Sequence, residues 1–115
     1  VGIVQQAEIF DYVSTTSGGD PPVLDARDVL ANPRKILEHL CGAIGVEFTP
    51  HMLSWPPGPR QSDGVWAKFW YASVHSSTEF QPYTDRRLNL SPDLEAIASA
   101  CQPYYERLYE RRIKI

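Results

Sequence analysis

The residues in this chain best suited to chemistry lie in one short stretch, "SWPPGPRQSDGVW" at 54–66. It holds three prolines, two glycines, one arginine and two flanking tryptophans. Prolines 56, 57 and 59 reduce the entropy lost when such a loop orders. Gly58 and Gly64 permit a backbone to approach a ligand closely. Arg60 offers a planar fork of donors that matches phosphate or sulfate. Gly64 stands before an expected helix start, where free N–H groups can meet an anion. Trp66 and Trp70 share one helical face, where they either stack on a flat ligand or fill a core. Tyr71 follows directly as a further candidate for ligand contact.

Other chemistries find little support. The chain has neither G-x-x-x-x-G-K-S/T nor G-x-G-x-x-G, so neither common phosphate-cradling loop is present. His39, His51 and His75 are too widely scattered along the chain to form a metal-ligand spacing. His39 belongs on the polar side of its helix, and His51 lines or caps a short turn. His75 reads as a helix-end residue, since Glu79 is the carboxylate near it in sequence. No catalytic residue and no metal site are assigned. Asp25 and Asp28 flank the end of an expected strand, a place where ligands bind in open α/β sheets. Asp28 is read as bonding backbone N–H groups of the turn into the next helix. For Asp25 a ligand role and a local role both stand open.

These residues need elements to hold them. In "IVQQAEIFDYV", positions 3, 7 and 10 suit one face of a helix, which "SGGDPP" ends. The apolar "PVLDA" that follows reads as one short buried strand. Asn32-Pro33 opens a second helix, with Ile36, Leu37, Leu40, Cys41 and Ile44 as its buried stripe and Gly45 at its end. Thr49-Pro50 starts a short turn. "VWAKFWYASV" has helical spacing from Val65, and "TEFQPYTDRRLNL" is irregular, anchored by Phe80 and Tyr83. Ser91-Pro92-Asp93 opens a last helix that Pro103 should bend or split. One buried strand between helices belongs to a parallel sheet, yet the other strands are not in the sequence. The chain is then either all-α, or a portion of a larger α/β protein.

At 115 residues the chain is one domain at most. Hydrophobic residues at 43% and charged residues at 22% are ordinary for a globular protein. A net charge of −3 gives no general reason to bind nucleic acid. The final "RLYERRIKI" carries four basic side chains against one acid and reads as a solvated helix face. No apolar run is long enough to cross a bilayer, and no secretory signal pattern opens the chain. Cys41 and Cys101 lie in apolar patterns and are expected as free thiols in a cytoplasmic setting.

The run from "VLDARDVLANPRKILEHL" through "AIGVEF" and the arginine loop to "STEFQPY" resembles the C-terminal half of sulfotransferase-family proteins of the P-loop superfamily. The match lies in the order of its parts. Asp28-Val29 and Asn32-Pro33 follow the strand, "AIGVEF" ends the helix, and Arg60 precedes Gly64-Val65-Trp66. The "WY…V…ST.F.PY" segment and a closing "PYYERLY" complete it, so that residues 3 to 112 are covered. The family loop is often of an "RKG" type, whereas this one is proline-rich with a single arginine.

The resemblance implies an α/β parent fold and transfer of a sulfuryl group from 3′-phosphoadenosine 5′-phosphosulfate to a hydroxyl or amine of a small-molecule acceptor. It implies that Arg60 and Gly64 close over the donor's 3′-phosphate, with Trp66 as a wall; Trp70 and Tyr71 are the candidates here for contact with the acceptor. In the family, the phosphosulfate loop and the catalytic base lie before the strand read here. The chain is therefore expected to be an incomplete C-terminal part, inactive alone, whose partner is the missing N-terminal half of the same domain. The alternative is a small non-enzymatic helical module that binds another protein through its aromatic loop and last helix.

Overall fold

A computed structural model describes residues 2–86 and 88–115. Arg87, inside the stretch expected to be irregular, lies outside the described residues. Helix α1 spans Ile3–Ser17. It stops at Gly18, whose φ of 73° is the left-handed conformation that glycine adopts without strain. Hydroxyls of Ser14, Thr15, Thr16 and Ser17 donate to carbonyls one turn back and finish the last turn.

Two short helices then share one residue. Helix α2 spans Ala26–Ala31 and α3 spans Pro33–Ile44. Between them, Asn32 donates its N–H to Asp28 O at 3.0 Å, closing α2. Its side-chain oxygen accepts from Lys35 N at 3.3 Å, capping α3, and Pro33 takes the first helical position. Helix α3 buries Ile36 and Cys41, while Leu37 and Leu40 are less completely covered. Ile44, assigned to the same stripe from its spacing, is instead exposed. Cys41 Sγ lies 3.9 Å from Met52 Sδ, which seats the turn Pro50–Met52 against α3.

The expected helix from Val65 onward forms as two. Helix α4 spans only Ala67–Trp70 and α5 spans Ala72–Ser76. Tyr71, at φ −98° and ψ 14°, breaks them apart. The aromatic and β-branched side chains of this stretch have weak helix propensity, and neither helix has a side-chain cap. Helix α6 spans Pro92–Glu110 and runs through Pro103 without being split.

The expected strand is absent: among the described residues there is no strand at all, and the protein is mostly helical. Val23 forms one isolated parallel bridge with Arg112, and Ile113 N donates to Val23 O at 2.9 Å. The extended backbone of "PVLDA" thus finds a single partner, the chain returning at the end of α6, where a sheet would need several.

Helix α6 also packs on α1, where Leu108 and Ala7 are buried. The basic tail is not simply a solvated face. Arg107 grips Asp11 with three bonds of 3.0 Å, Arg111 meets Asp20 at 2.6 Å, and Arg112 Nε meets Asp28 at 2.7 Å. The described interior is thin, with only Ala7, Ile36, Cys41, Ala67 and Leu108 buried. The radius of gyration is 16.8 Å, against about 13 Å for a compact chain of this length.

Candidate functional site around the arginine loop

The loop 54–64 is held against the segment that follows α5. Trp55 N donates to Thr78 O at 2.8 Å within an antiparallel bridge between Ser54 and Glu79. The Trp55 indole donates to Ser77 Oγ at 3.0 Å and sits edge-on to Phe80, with centroids 5.4 Å apart. Phe80 is thus the anchor its position suggested, while Tyr83 lies under the Arg27 guanidinium at 5.4 Å. Gly58 N donates to His75 O at 2.7 Å. The Gly58 φ of 103° is a conformation that requires glycine.

At the loop's centre Arg60 and Asp63 close a tight turn on each other. Arg60 N donates to Asp63 Oδ2 at 2.8 Å, and Asp63 N donates to Arg60 O at 3.1 Å. The same Oδ2 lies 2.9 Å from His75 Nε2. A carboxylate only accepts, so this nitrogen carries the proton of the imidazole. The Arg60 N–H, followed by the His75 bond, holds the Asp63 carboxyl below the usual carboxylate range. Tyr71 stands edge-on to His75, 5.9 Å between centroids. An open cavity of about 400 Å³ lies between the loop and α4, lined by Pro59, Asp63, Gly64, Val65, Lys68 and His75.

The five residues singled out from sequence fall close together in the chain but differ in setting. The Arg60 guanidinium is exposed, and its one bond is a long 3.4 Å contact to Pro56 O. Among the described residues it forms no ion pair. Gly64 O accepts from Ala67 N at 3.0 Å, ahead of a helix of four residues. So short a helix adds little dipole at this N-terminus, so any anion contact there falls to the backbone N–H groups themselves. Trp66 and Trp70 are 66% and 74% exposed, so neither fills a core. Trp66 leans on Phe69 at 6.3 Å, itself exposed. Of the tryptophans flanking the loop, Trp55 fixes the fold and Trp66 faces outward.

The sequence did not point to Asp63 and His75 as a pair. They are far apart along the chain and meet only because the loop folds back on α5. The cue available was the Ser62-Asp63-Gly64 turn signal, which places an acid at a bend without saying what it faces.

Of the two acids near Val23, Asp25 takes the local role, one of the two left open for it, and Asp28 does not take the one expected of it. Asp25 is the cap of α2, accepting from Arg27 N at 3.0 Å, and also accepts from Tyr105 Oη at 2.8 Å. Asp28 reaches outward from the first turn of α2 to Arg112, rather than to backbone N–H groups. Burial, then the bond to Asp25, pushes the Tyr105 phenol up to about 12. Arg112 lies 3.6 Å above the Tyr109 ring, and its bond to Asp28 raises its pKa further. These groups satisfy one another and tie the end of α6 to α2. Among the described residues no group of three His, Cys, Asp or Glu side chains could hold a metal ion, and no helix is long and apolar enough to cross a membrane.

Residues 1–112 match the family described as "Sulfotransferase domain", and the chain belongs to that family. Two curated proteins of Arabidopsis thaliana are also similar. Branched-chain-amino-acid aminotransferase-like protein 1 is 44% identical over 63 residues, which is 55% of this chain and 11% of that protein. Branched-chain-amino-acid aminotransferase-like protein 2 is 38% identical over 63 residues, again 55% of this chain and 11% of the relative. The chain thus spans about a tenth of the length of the relatives it matches. No solved structure matches.

Proposed function

We propose that residues 54–71 form part of the donor and acceptor site of a sulfotransferase. The enzyme moves a sulfuryl group from 3′-phosphoadenosine 5′-phosphosulfate to the hydroxyl or amine of a small molecule. In that reaction the acceptor oxygen or nitrogen bonds to sulfur and gives up its proton. The bond from sulfur to the donor phosphate oxygen breaks, and adenosine 3′,5′-bisphosphate leaves. Arg60, with the backbone at Gly64, takes the donor's 3′-phosphate. Trp66 walls it, and Trp70 and Tyr71 face the acceptor. The observation that carries this reading is the contrast among arginines. Arg34, Arg107, Arg111 and Arg112 each have a carboxylate; of the described arginines without one, Arg27 lies over the Tyr83 ring and Arg86 stands in an irregular stretch, while Arg60 is carried on a braced loop with its guanidinium outward.

The remainder of an α/β P-loop domain, with its phosphosulfate loop and base, is assigned to the preceding half of the same domain, so that this chain alone is inactive. The thin interior and the outward indoles support that assignment. The free thiols Cys41 and Cys101 suit a reducing cytoplasm. The name of the Arabidopsis relatives adds no activity here, given how little of each is matched. In the intact protein, Arg60→Ala is expected to raise the donor KM by about tenfold or more, the scale of a hydrogen bond to a charged group. An unchanged donor KM would overturn the assignment. The exposed Val65, Phe69 and Trp70 also suit a second reading, a protein-interaction module. In that case partner binding would ignore the donor nucleotide.

A further inference from the structure

Three hydrogen bonds converge on a part of the loop that the sulfotransferase reading does not use. Asp63 Oδ2 accepts from the Arg60 N–H at 2.8 Å and from His75 Nε2 at 2.9 Å. His75 O accepts from Gly58 N at 2.7 Å. One histidine on α5 therefore holds the loop on both sides of Arg60, by its carbonyl before and by its ring after. The bonds fix the Arg60 backbone and leave its guanidinium outward.

We propose that Asp63, gripped by His75, is a positioning residue that sets Arg60 for its anion. This rests on the reading of Arg60 given above. A loop ordered beforehand loses less entropy when a ligand arrives. An opposing effect must be weighed, because a carboxylate beside an anion site repels the ligand. Here the same oxygen is turned onto two donors, the Arg60 N–H and His75 Nε2, which take up part of its charge. Lys68 lines the same cavity and Tyr71 packs on the His75 ring, so both face the pair. Positioning and repulsion predict opposite signs for Asp63→Asn, which removes the charge and weakens the bonds.

The test compares Asp63→Asn, His75→Ala, His75→Gln, Arg60→Ala and the Asp63→Asn/Arg60→Ala double variant in the intact protein. Donor and acceptor KM are measured, with hydrogen exchange at the Arg60 amide. Asp63→Asn should raise the donor KM about fivefold, the scale of one or two net hydrogen bonds, with little change in acceptor KM. The double variant should be no worse than Arg60→Ala alone, since both act through one group. His75→Gln keeps an N–H donor and should stay nearer the parent than His75→Ala. The Arg60 amide should exchange faster in Asp63→Asn. A donor KM unchanged or lowered by Asp63→Asn, where Arg60→Ala raises it, overturns the proposal. If Arg60→Ala itself has no effect, the role of Arg60 in donor binding fails. The clasp is then decided by exchange alone: faster exchange at Arg60 in Asp63→Asn upholds it, and unchanged exchange removes it.

Discussion

The closure of α6 onto α1 and α2 and the arm formed by loop 54–64 with α4 and α5 use the same kinds of side chain to different ends. In the closure, Arg107, Arg111 and Arg112 reach acids near the opposite end of the sequence. Two of its aromatic rings are matched too, Tyr105 stacking on Tyr109 at 5.5 Å and Arg112 lying over Tyr109. In the arm, every hydrogen bond that shapes the loop stays within residues 54–80. Its arginine points to solvent, and Trp66, Phe69 and Trp70 are uncovered. Partnered cations and rings hold a fold, and unpartnered ones on a braced loop are available to a ligand. Under the proposed function, the difference separates the part of the chain that maintains the structure from the part proposed to carry the site.

Removing the apolar centre of the closure should break this division most severely. Leu108 is 7% exposed on the α6 face that packs against α1. Leu108→Ala should destabilise the protein by about 3 kcal/mol, through lost burial and the cavity left behind. Urea denaturation followed by far-ultraviolet circular dichroism measures this. A loss below about 1 kcal/mol would mean that the ion pairs, not packing, join α1 to α6, against the modest strength of exposed pairs.

A smaller effect should follow from the Tyr105 phenol, which burial and Asp25 push up to about 12. A free tyrosine loses its proton near pH ~10. The neutral phenol is thus favoured by the folded state, and its contribution is complete below about pH 10. It is lost as pH rises through the folded value of about 12. Between those limits Tyr105→Phe should show a flatter fall of stability with pH than the parent. Equal slopes would place the phenol outside the closure.

Much of this was legible in the sequence where the signal was local. Asn32-Pro33 caps α3 and Gly45 ends it as their chemistry requires. The proline-rich loop and its arginine form the braced, outward-facing feature that composition singled out. What failed was whatever depended on a distant partner. "PVLDA" has a strand's residues, but strand formation is decided by neighbours, and Val23 finds only Arg112. Asp25 and Asp28 are equally good caps on paper. Which one caps was settled by the extended backbone of Asp25, and Asp28 was then taken by an arginine from the far end of the sequence. The Asp63–His75 contact was hidden for the same reason. The break at Tyr71 was closer to legible, since a run of aromatic and β-branched residues carries a helical period with poor helix propensity.

The smallest effect is the one that most sharpens the contrast between closure and arm. Trp70 is 74% exposed, so little of its indole has left the solvent. Truncating so exposed a side chain usually changes stability by no more than about 0.5 kcal/mol. Trp70→Ala should therefore leave the denaturation midpoint nearly unchanged while raising the acceptor KM, because an aromatic wall is lost from the proposed acceptor side. The two readouts are independent, and their combination is informative. A stability loss of several kcal/mol, comparable to that of Leu108→Ala, would show the indole to be covered in the intact protein by chain from elsewhere, so that the arm too is a packing element. An unchanged midpoint with an unchanged acceptor KM would leave the exposed ring with no part in the reaction, and would move the acceptor toward the cavity beside Lys68 and His75.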